Sequence, residues 1–315
     1  MAELAEADGA ASEGVAREAM VPLLGLSFAG SGFLGVYHLG AASALLRRGR
    51  RLLGAVDAYA GASAGALAAA VMVTAPHRIA DCTEFSYKFA EEIRSQHLGA
   101  LTPGFPFMQK LRVRGSNRDS LSKPPSQPSL GESEGIESIL PSDAHERAEG
   151  RLHVSITSAR TRRNRLVSHF SSRDELMQVL LASSFVPGYA GLSAVEYMGE
   201  KWYDGGFTDS LPHLPGGRTI TVSPFSGKHD VCPHDPSTIE LYATFAKQDI
   251  MVNLRNLRRA NLALFPPARE ELRAFYEQGA SDATLFLQRE GWHEEEGNDD
   301  GGGGGSLSQT TKPDH

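Results

Sequence analysis

Twice within the first 75 residues, a short apolar run stops at a cluster of glycines and a helical pattern follows. The first run spans Leu23 to Phe28 and precedes a helical pattern from Val36 to Arg48. The second spans Ala55 to Ala60 and precedes a helical pattern from Ala66 to Thr74. A repeated strand–turn–helix order predicts βαβ units, in which parallel strands are covered by helices.

The remaining elements are of the same class. Leu152 to Thr157 and Thr219 to Ser223 are predicted buried strands, while Asp174 to Ala182 and Leu241 to Leu264 are predicted helices. We therefore expect a three-layer α/β/α fold with a mostly parallel central sheet. The uncharged stretch from Ala58 to Ala75 consists largely of Ala, Gly and Ser, so it predicts a buried helix rather than a membrane span.

Polar segments flank and interrupt the predicted folded part. Residues 1–20 predict a flexible leader, residues 113–135 a disordered insertion and residues 293–315 a disordered acidic tail, which leaves one domain at 21–292. The net charge of −7 comes from the two ends, since residues 21–293 carry about +2. A nearly neutral body does not call for a nucleic-acid partner, and none is expected. The start of the chain has no basic segment before an apolar run, so a cytoplasmic protein without a signal peptide is predicted.

The second glycine turn carries a candidate nucleophile. Gly61-Ala62-Ser63-Ala64-Gly65 lies where a predicted strand ends and a predicted helix begins. There the glycines permit a tight turn that presents the Ser63 hydroxyl near the positive end of the helix dipole. The string alone is a weak signal, and a turn of small residues between helix and sheet is the alternative.

The first glycine turn is a candidate anion-binding loop. Backbone N–H groups in Gly30-Ser31-Gly32-Phe33-Leu34-Gly35 can converge either on a phosphate or on the oxyanion of an ester under attack. The dinucleotide-binding alternative calls for an acidic residue at the end of the next strand. Asp57 has about the right separation but lies near the start of that strand, which weighs against a nucleotide.

A serine nucleophile needs a base, and the chain offers two kinds. Asp204, in Asp204-Gly205-Gly206, follows the short run from Glu200 to Tyr203, and its glycines would let the carboxylate approach another loop closely. A partly desolvated carboxylate beside a serine can take its proton directly. The alternative is a Ser–His–Asp triad, which would use one of the downstream histidines: His213, His229, His234 or His293.

These three elements, in this order, resemble the patatin-like phospholipases. The resemblance includes the strings LSFAGSGFLGVYHLGAASALLRRG, YAGASAGAL, LLASSFVPGYAGL and WYDGG, and it extends over most of residues 21–292, as in the short, single-domain animal branch of the family. It implies that Ser63 is the acylated nucleophile, that Asp204 is the only base, and that the oxyanion hole is formed by Gly30, Ser31, Gly32, Phe33, Leu34 and Gly35. Leu34 departs from plant and bacterial relatives, many of which have Lys or Arg there.

The resemblance also implies an activity and its partners. We expect hydrolysis of carboxylic esters of neutral lipids, such as triacylglycerols and retinyl esters, with phospholipids and transacylation as further expectations. No metal or organic cofactor is needed for this chemistry. The expected partner is a lipid ester at a membrane or lipid-droplet surface, with which the protein would associate peripherally. A non-catalytic lipid-droplet or membrane adaptor that keeps the fold is the alternative.

The stretch from Ile250 to Phe265 is a candidate lipid-facing helix. Apolar side chains fall near one helical face, and arginines lie away from it. The apolar set is Ile250, Leu254, Leu257 and Leu264. An ordinary amphipathic helix packed on the core has the same pattern, and this is the preferred interpretation.

Overall fold

The structure is a computed structural model that describes residues 23–102, 105–112, 135–191, 193–236 and 240–295. The predicted leader at 1–20 lies outside the described residues. The same holds for residues 113–134 of the predicted insertion and for the predicted tail from residue 296 onward.

Nine strands and ten α-helices are assigned within these ranges. The strands are β1 (Leu23–Phe28), β2 (Ala58–Ala62), β3 (Leu152–Ser158), β4 (Asn164–Val167), β5 (Val195–Tyr197), β6 (Glu200–Asp204), β7 (Gly217–Val222), β8 (Tyr242–Phe245) and β9 (Gln248–Met251). The helices are α1 (Gly35–Arg48), α2 (Arg50–Ala55), α3 (Ala64–Thr74), α4 (Ile79–Arg94), α5 (Phe107–Arg112), α6 (Ile136–Ile139), α7 (Ala144–Ala148), α8 (Arg173–Ser183), α9 (Leu254–Leu264) and α10 (Arg269–Arg289).

A mixed sheet forms the centre of the fold, with the strand order β5-β6-β3-β2-β1-β7. The four strands β3, β2, β1 and β7 are parallel to one another, whereas β4 and β6 pair antiparallel with β3, and β5 pairs antiparallel with β6. This confirms the predicted α/β fold with a mostly parallel centre. Because Phe28 pairs with Gly61, the turns that follow β1 and β2 lie side by side.

Small side chains let α3 pack closely against the centre of the sheet. Ala66, Ala69 and Ala70 are buried in the main core, together with Val71 and Met72. The uncharged stretch is therefore divided between a buried strand, β2, and a buried helix, as predicted. Over the described ranges, every helix is too short or too polar to cross a membrane.

Two of the predicted elements are wrong in part. The prediction of a strand from Ala55 is corrected, because residues 50–55 form helix α2 and the strand begins at Ala58. Only Ala55 of the predicted strand belongs to α2, and the boundary was missed because Val56, between the helix and the strand, is also buried and continues the apolar pattern.

The predicted helix from Leu241 to Leu264 is wrong in its first half. There β8 and β9 form an antiparallel hairpin, and only α9 is helical. The two turn residues, Ala246 and Lys247, both have positive φ, as a two-residue hairpin turn requires. The Ser210 N–H donates to the Ala246 carbonyl over 2.8 Å, so a tertiary contact stabilises a turn that local propensity does not favour.

Helices α1 and α10 touch through glycines. A Cβ on Gly279 would lie 2.1 Å from the Tyr37 carbonyl oxygen, and one on Gly40 would lie 1.9 Å from that of Tyr276. These distances are too short for any real Cβ, so the two backbones can meet only where both residues lack a side chain.

We predict that Gly279→Ala lowers the free energy of unfolding by about 1–3 kcal/mol, because the new methyl group forces the helices apart. Gly54 is the matched control, since it also lies in a helix but its Cβ would meet nothing within 4 Å. Gly54→Ala should raise stability by about 0.5–1 kcal/mol. Urea unfolding of both variants is the measurement, and equal stability of the two would contradict the packing argument.

Candidate active site

The turn between β2 and α3 holds Ser63 in a strained conformation. Its φ is 54° and its ψ is −129°, a backbone conformation that residues other than glycine rarely adopt. A Cβ on Gly61 would lie 2.5 Å from the Gly65 carbonyl group, and one on Gly65 would lie 2.2 Å from the Phe28 carbonyl oxygen. Gly61 is therefore required for the strand to approach the start of α3, and Gly65 is required for the turn to fit against β1.

A second serine supports this turn. The Ser63 N–H donates to the Ser183 hydroxyl oxygen over 2.9 Å, and that hydroxyl donates to the Ser155 carbonyl over 2.7 Å. Sequence reasoning did not single out Ser183 as a site residue, although it lies within LLASSFVPGYAGL, one of the strings that carried the resemblance. Its role depends on contacts across the fold that no local spacing indicates.

The glycine loop lies next to Ser63, but only part of it is free to bind an anion. The Gly30 N–H donates to the Ser210 carbonyl over 2.8 Å, and the Leu34 N–H donates to the Ser31 carbonyl over 3.0 Å. The Gly35 N–H donates to the Gly32 carbonyl. These three amides are used inside the protein, which narrows the predicted donor set. The amides of Ser31, Gly32 and Phe33 remain. Gly32 and Phe33 begin a helical turn, where N–H groups have no partner within the helix, and Ser31 directly precedes that turn.

Gly32 has two reasons to be glycine. Its φ is +53°, in the left-handed region, and a Cβ there would lie 2.0 Å from the Ala263 carbonyl oxygen of α9. Helix α9 thus packs directly against the loop.

Asp204 reaches the same place from the other side of β2. It ends β6 and pairs with Ile156 of β3. Its N–H donates to the Phe185 carbonyl over 2.9 Å, and its carbonyl accepts from the Thr157 hydroxyl over 2.8 Å. A Cβ on Gly205 would lie 2.1 Å from the Ser155 carbonyl oxygen, so this glycine permits the close approach that the D-G-G string predicted.

The Asp204 carboxylate is buried and interacts with Ser63. Burial raises the pKa of Asp204 to about 6, while the Ser63 side chain and the Gly206 N–H, which donates to Oδ1 over 2.7 Å, oppose that rise by stabilising the charged form. A carboxylate with this pKa is ionised at neutral pH and is a stronger base than an exposed aspartate. It can therefore accept a proton from the hydroxyl that it contacts.

The histidines of the alternative triad lie elsewhere. His213 is exposed and its Nδ1 contacts the Leu211 carbonyl, and half-buried His229 has a pKa lowered to about 4, mainly by burial. His234 is exposed and His293 follows α10. Among the residues described here, the ionisable side chain that the structure brings to the Ser63 side chain is the Asp204 carboxylate.

The nucleotide alternative also finds no support in the geometry. The Asp57 carboxylate accepts from the Leu24 N–H over 2.8 Å, near the start of β1. The glycine loop follows the opposite end of β1, so Asp57 is too far away to contact a ribose next to that loop.

His38 contacts the backbone just before the glycine loop. Its buried side chain contacts the Ala29 carbonyl through Nε2 over 2.8 Å, and because a carbonyl only accepts, Nε2 must carry the proton. Burial lowers the pKa of His38 to about 4, so it is neutral near pH 7. Ala29 is the residue directly before Gly30, so this contact holds the backbone where the loop begins.

Ser63 opens into an apolar cavity of about 150 Å³. The cavity lies between the glycine loop, α3, α4 and the C-terminal end of α9. Side chains that line it include Leu67, Val71, Phe85, Phe89 and Tyr189. A cavity of this kind suits a flexible hydrocarbon chain next to the serine hydroxyl.

Comparison with known proteins gives the family. The model for patatin-like phospholipase matches residues 26–215. Human patatin-like phospholipase domain-containing protein 4 is 55% identical over 271 residues, which cover 86% of this chain and 99% of that protein. Mouse patatin-like phospholipase domain-containing protein 2 is 40% identical over 84% of this chain and 50% of its own length, and mouse omega-hydroxyceramide transacylase is 34% identical over 84% and 40%. The chain therefore belongs to the patatin-like phospholipase family.

Proposed function

We propose that this chain is a serine lipid acyl hydrolase in which Ser63 and Asp204 form a catalytic dyad. The observation that carries the proposal is a buried carboxylate against a strained serine hydroxyl, next to an apolar cavity. Burial makes Asp204 more basic, and the turn holds the Ser63 hydroxyl in place before substrate arrives.

The reaction proceeds by two acyl transfers. Asp204 takes the hydroxyl proton as Ser63 Oγ attacks the ester carbonyl carbon, and the Gly32 and Phe33 amides donate to the resulting oxyanion. The carbonyl re-forms, the bond to the alcohol oxygen breaks, and the alcohol leaves with the proton from Asp204. Water then attacks acyl-Ser63, again losing a proton to Asp204, and Ser63 regains that proton as the fatty acid is released. An acceptor alcohol in place of water would give a new ester.

The proposed substrates are carboxylic esters of neutral lipids, including triacylglycerols and retinyl esters, and extend to phospholipids. The apolar side chains around the cavity support an acyl chain as the bound group. Transacylation is included because one relative is an omega-hydroxyceramide transacylase.

We predict that a fluorophosphonate probe labels the wild-type protein and that Ser63→Ala abolishes the labelling. Ser43→Ala is the control, because Ser43 is a half-buried serine in α1 outside the site, and this variant should label as the wild type does. Hydrolysis of p-nitrophenyl butyrate should follow the labelling. A wild-type protein without labelling or turnover would instead support the adaptor.

The base is tested separately. Asp204→Asn should lower kcat/KM by about 10²–10⁴-fold, the usual contribution of a general base. Replacing His213, His229, His234 and His293 one at a time by Ala should leave kcat/KM close to the wild-type value. A loss of activity in one histidine variant comparable to that in Asp204→Asn would favour the triad.

The pH dependence should report the ionisation of Asp204. Since the carboxylate accepts a proton only when ionised and burial raises its pKa to about 6, kcat/KM should be level above this pH and fall about tenfold per unit below it. Adding an organic cosolvent should move the inflection upward, because a carboxylic acid creates charge when it ionises. An imidazolium does not, so an unmoved inflection would indicate a histidine base.

Gly32→Ala should lower kcat by about 10²–10³-fold, the typical cost of a lost oxyanion donor. An alanine would be strained at φ +53°, and its methyl group would overlap the Ala263 carbonyl, so the loop and its amides must shift. Gly54→Ala, in a helix with open space around it, controls for glycine replacement in general. Full activity of Gly32→Ala, measured with p-nitrophenyl butyrate, would remove this loop from the mechanism.

A further inference from the structure

Helix α9 turns a polar face toward the protein and an apolar face outward, which is the reverse of an ordinary amphipathic helix. Its leucines face outward, with Leu254 83% and Leu257 67% exposed, and Leu264 is exposed as well. The residues buried on its other side are polar, namely Asn256 and Arg259. At 3.6 residues per turn the two sets lie on opposite faces. The preferred sequence interpretation, in which the leucines pack on the core, is therefore wrong.

A buried ion pair fixes the helix in this orientation. Arg259 makes two hydrogen bonds with the Asp235 carboxylate, of 2.6 and 2.9 Å, and this pair is almost completely buried. Asn256 donates to the carbonyls of Ser226 and Met251 over 2.8 Å each. Turning the leucines inward would leave a buried carboxylate without its partner, which is strongly unfavourable. The outward position of the leucines is therefore a stable feature of the fold.

The exposed leucines adjoin the site. Ala263 and Leu264, in the last turn of α9, line the cavity that contains Ser63. The Tyr189 hydroxyl, from the opposite wall, donates to the Leu264 carbonyl. Phe265, which follows α9, is also exposed. The apolar lining of the cavity thus continues onto the outer face of the helix.

The arginines that border the leucines are already paired. Arg258 forms a 2.5 Å ion pair with Glu271, and Arg255 approaches Asp235 at 3.4 Å. Contact with a surface through this face would therefore depend on the apolar side chains more than on attraction to anionic groups.

We propose that the outer face of α9, formed by Leu254, Leu257, Leu264 and Phe265, docks on the surface of a phospholipid layer. This deepens the proposed function and rests on it, because a lipid ester can reach Ser63 without crossing water only if the cavity opens against lipid. The leucines enter the boundary between headgroups and acyl chains while the buried polar face keeps the helix on the protein. The continuity of the cavity lining with this face favours lipid over a protein partner.

The test is co-flotation of the full chain with phosphatidylcholine vesicles. The variant L254D/L257D should bind at least about tenfold more weakly, because each exposed leucine loses its transfer from water into lipid. Folding should be retained, since both side chains are exposed and acidic residues are favoured in the first turn of a helix. Circular dichroism and thermal unfolding would check this.

Leu285→Asp is the matched control. Leu285 is 59% exposed on α10. Two residues further on, Leu287 lies next to Gly49, which follows the C-terminal end of α1. The glycine loop precedes the other end of α1, so Leu285 lies away from the site. This variant should float with vesicles as the wild type does. Ser63→Ala should also float normally, so vesicle binding can be measured even if the proposed function fails.

Activity separates docking from chemistry. In L254D/L257D, hydrolysis of triolein emulsified with phosphatidylcholine should fall at least about tenfold, whereas hydrolysis of dissolved p-nitrophenyl butyrate should be unchanged. If neither substrate is hydrolysed by the wild-type protein, the proposed function fails while flotation still decides the docking. An equal loss on both substrates would show damage to the site rather than to docking and would overturn the inference.

Three other outcomes would overturn it. Equal flotation of L254D/L257D and wild type would show that the leucines do not contact lipid. Binding that requires phosphatidylserine and is insensitive to these substitutions would assign attachment to charge elsewhere. A dimer seen by analytical ultracentrifugation without lipid, lost in L254D/L257D, together with no vesicle binding, would assign the face to a second copy of the chain.

Discussion

The parallel pairing of β1 with β2 determines the arrangement of the site. Because Phe28 lies opposite Gly61, the glycine loop after β1 and the serine turn after β2 begin at the same level of the sheet. Gly65 then approaches the Phe28 carbonyl so closely that neither turn can move independently. The antiparallel pairing of β3 with β6 brings Asp204 to the same edge. Three segments distant in sequence are thus placed by backbone hydrogen bonds, before any side chain contributes.

Supporting contacts connect the loop to parts of the fold that carry no recognisable motif. Gln248 of the β8–β9 hairpin donates to the Ser210 hydroxyl, and the Ser210 carbonyl accepts from the Gly30 N–H. Lys247, in the hairpin turn, forms a 2.5 Å ion pair with the buried carboxylate of Asp209. The hairpin therefore stabilises the position of Ser210, and through it the start of the loop. A segment outside the strings of the resemblance is part of what holds the loop.

The sequence was sufficient for features that depend on local pattern. The ends of β1, α1 and α8 were predicted to within a residue, and glycine spacing located both turns, because these features follow from backbone sterics and periodic burial. The sequence was insufficient where a contact with a distant residue determines the local structure. The hairpin depends on Ser210, and the orientation of α9 depends on Asp235, which precedes Arg259 by 24 positions. A leucine stripe is the same in either orientation, so periodicity could not distinguish them.

The ion pair beneath α9 also separates two properties that ordinary amphipathic helices combine. In most such helices the same leucines provide both stability and an apolar surface, so changing one changes the other. Here Arg259 and Asp235 hold the helix, and the outer leucines contribute little to folding. Substitutions on the outer face of this helix can consequently alter the surface that the protein presents without unfolding the chain, whereas loss of the arginine or the aspartate would affect the fold itself.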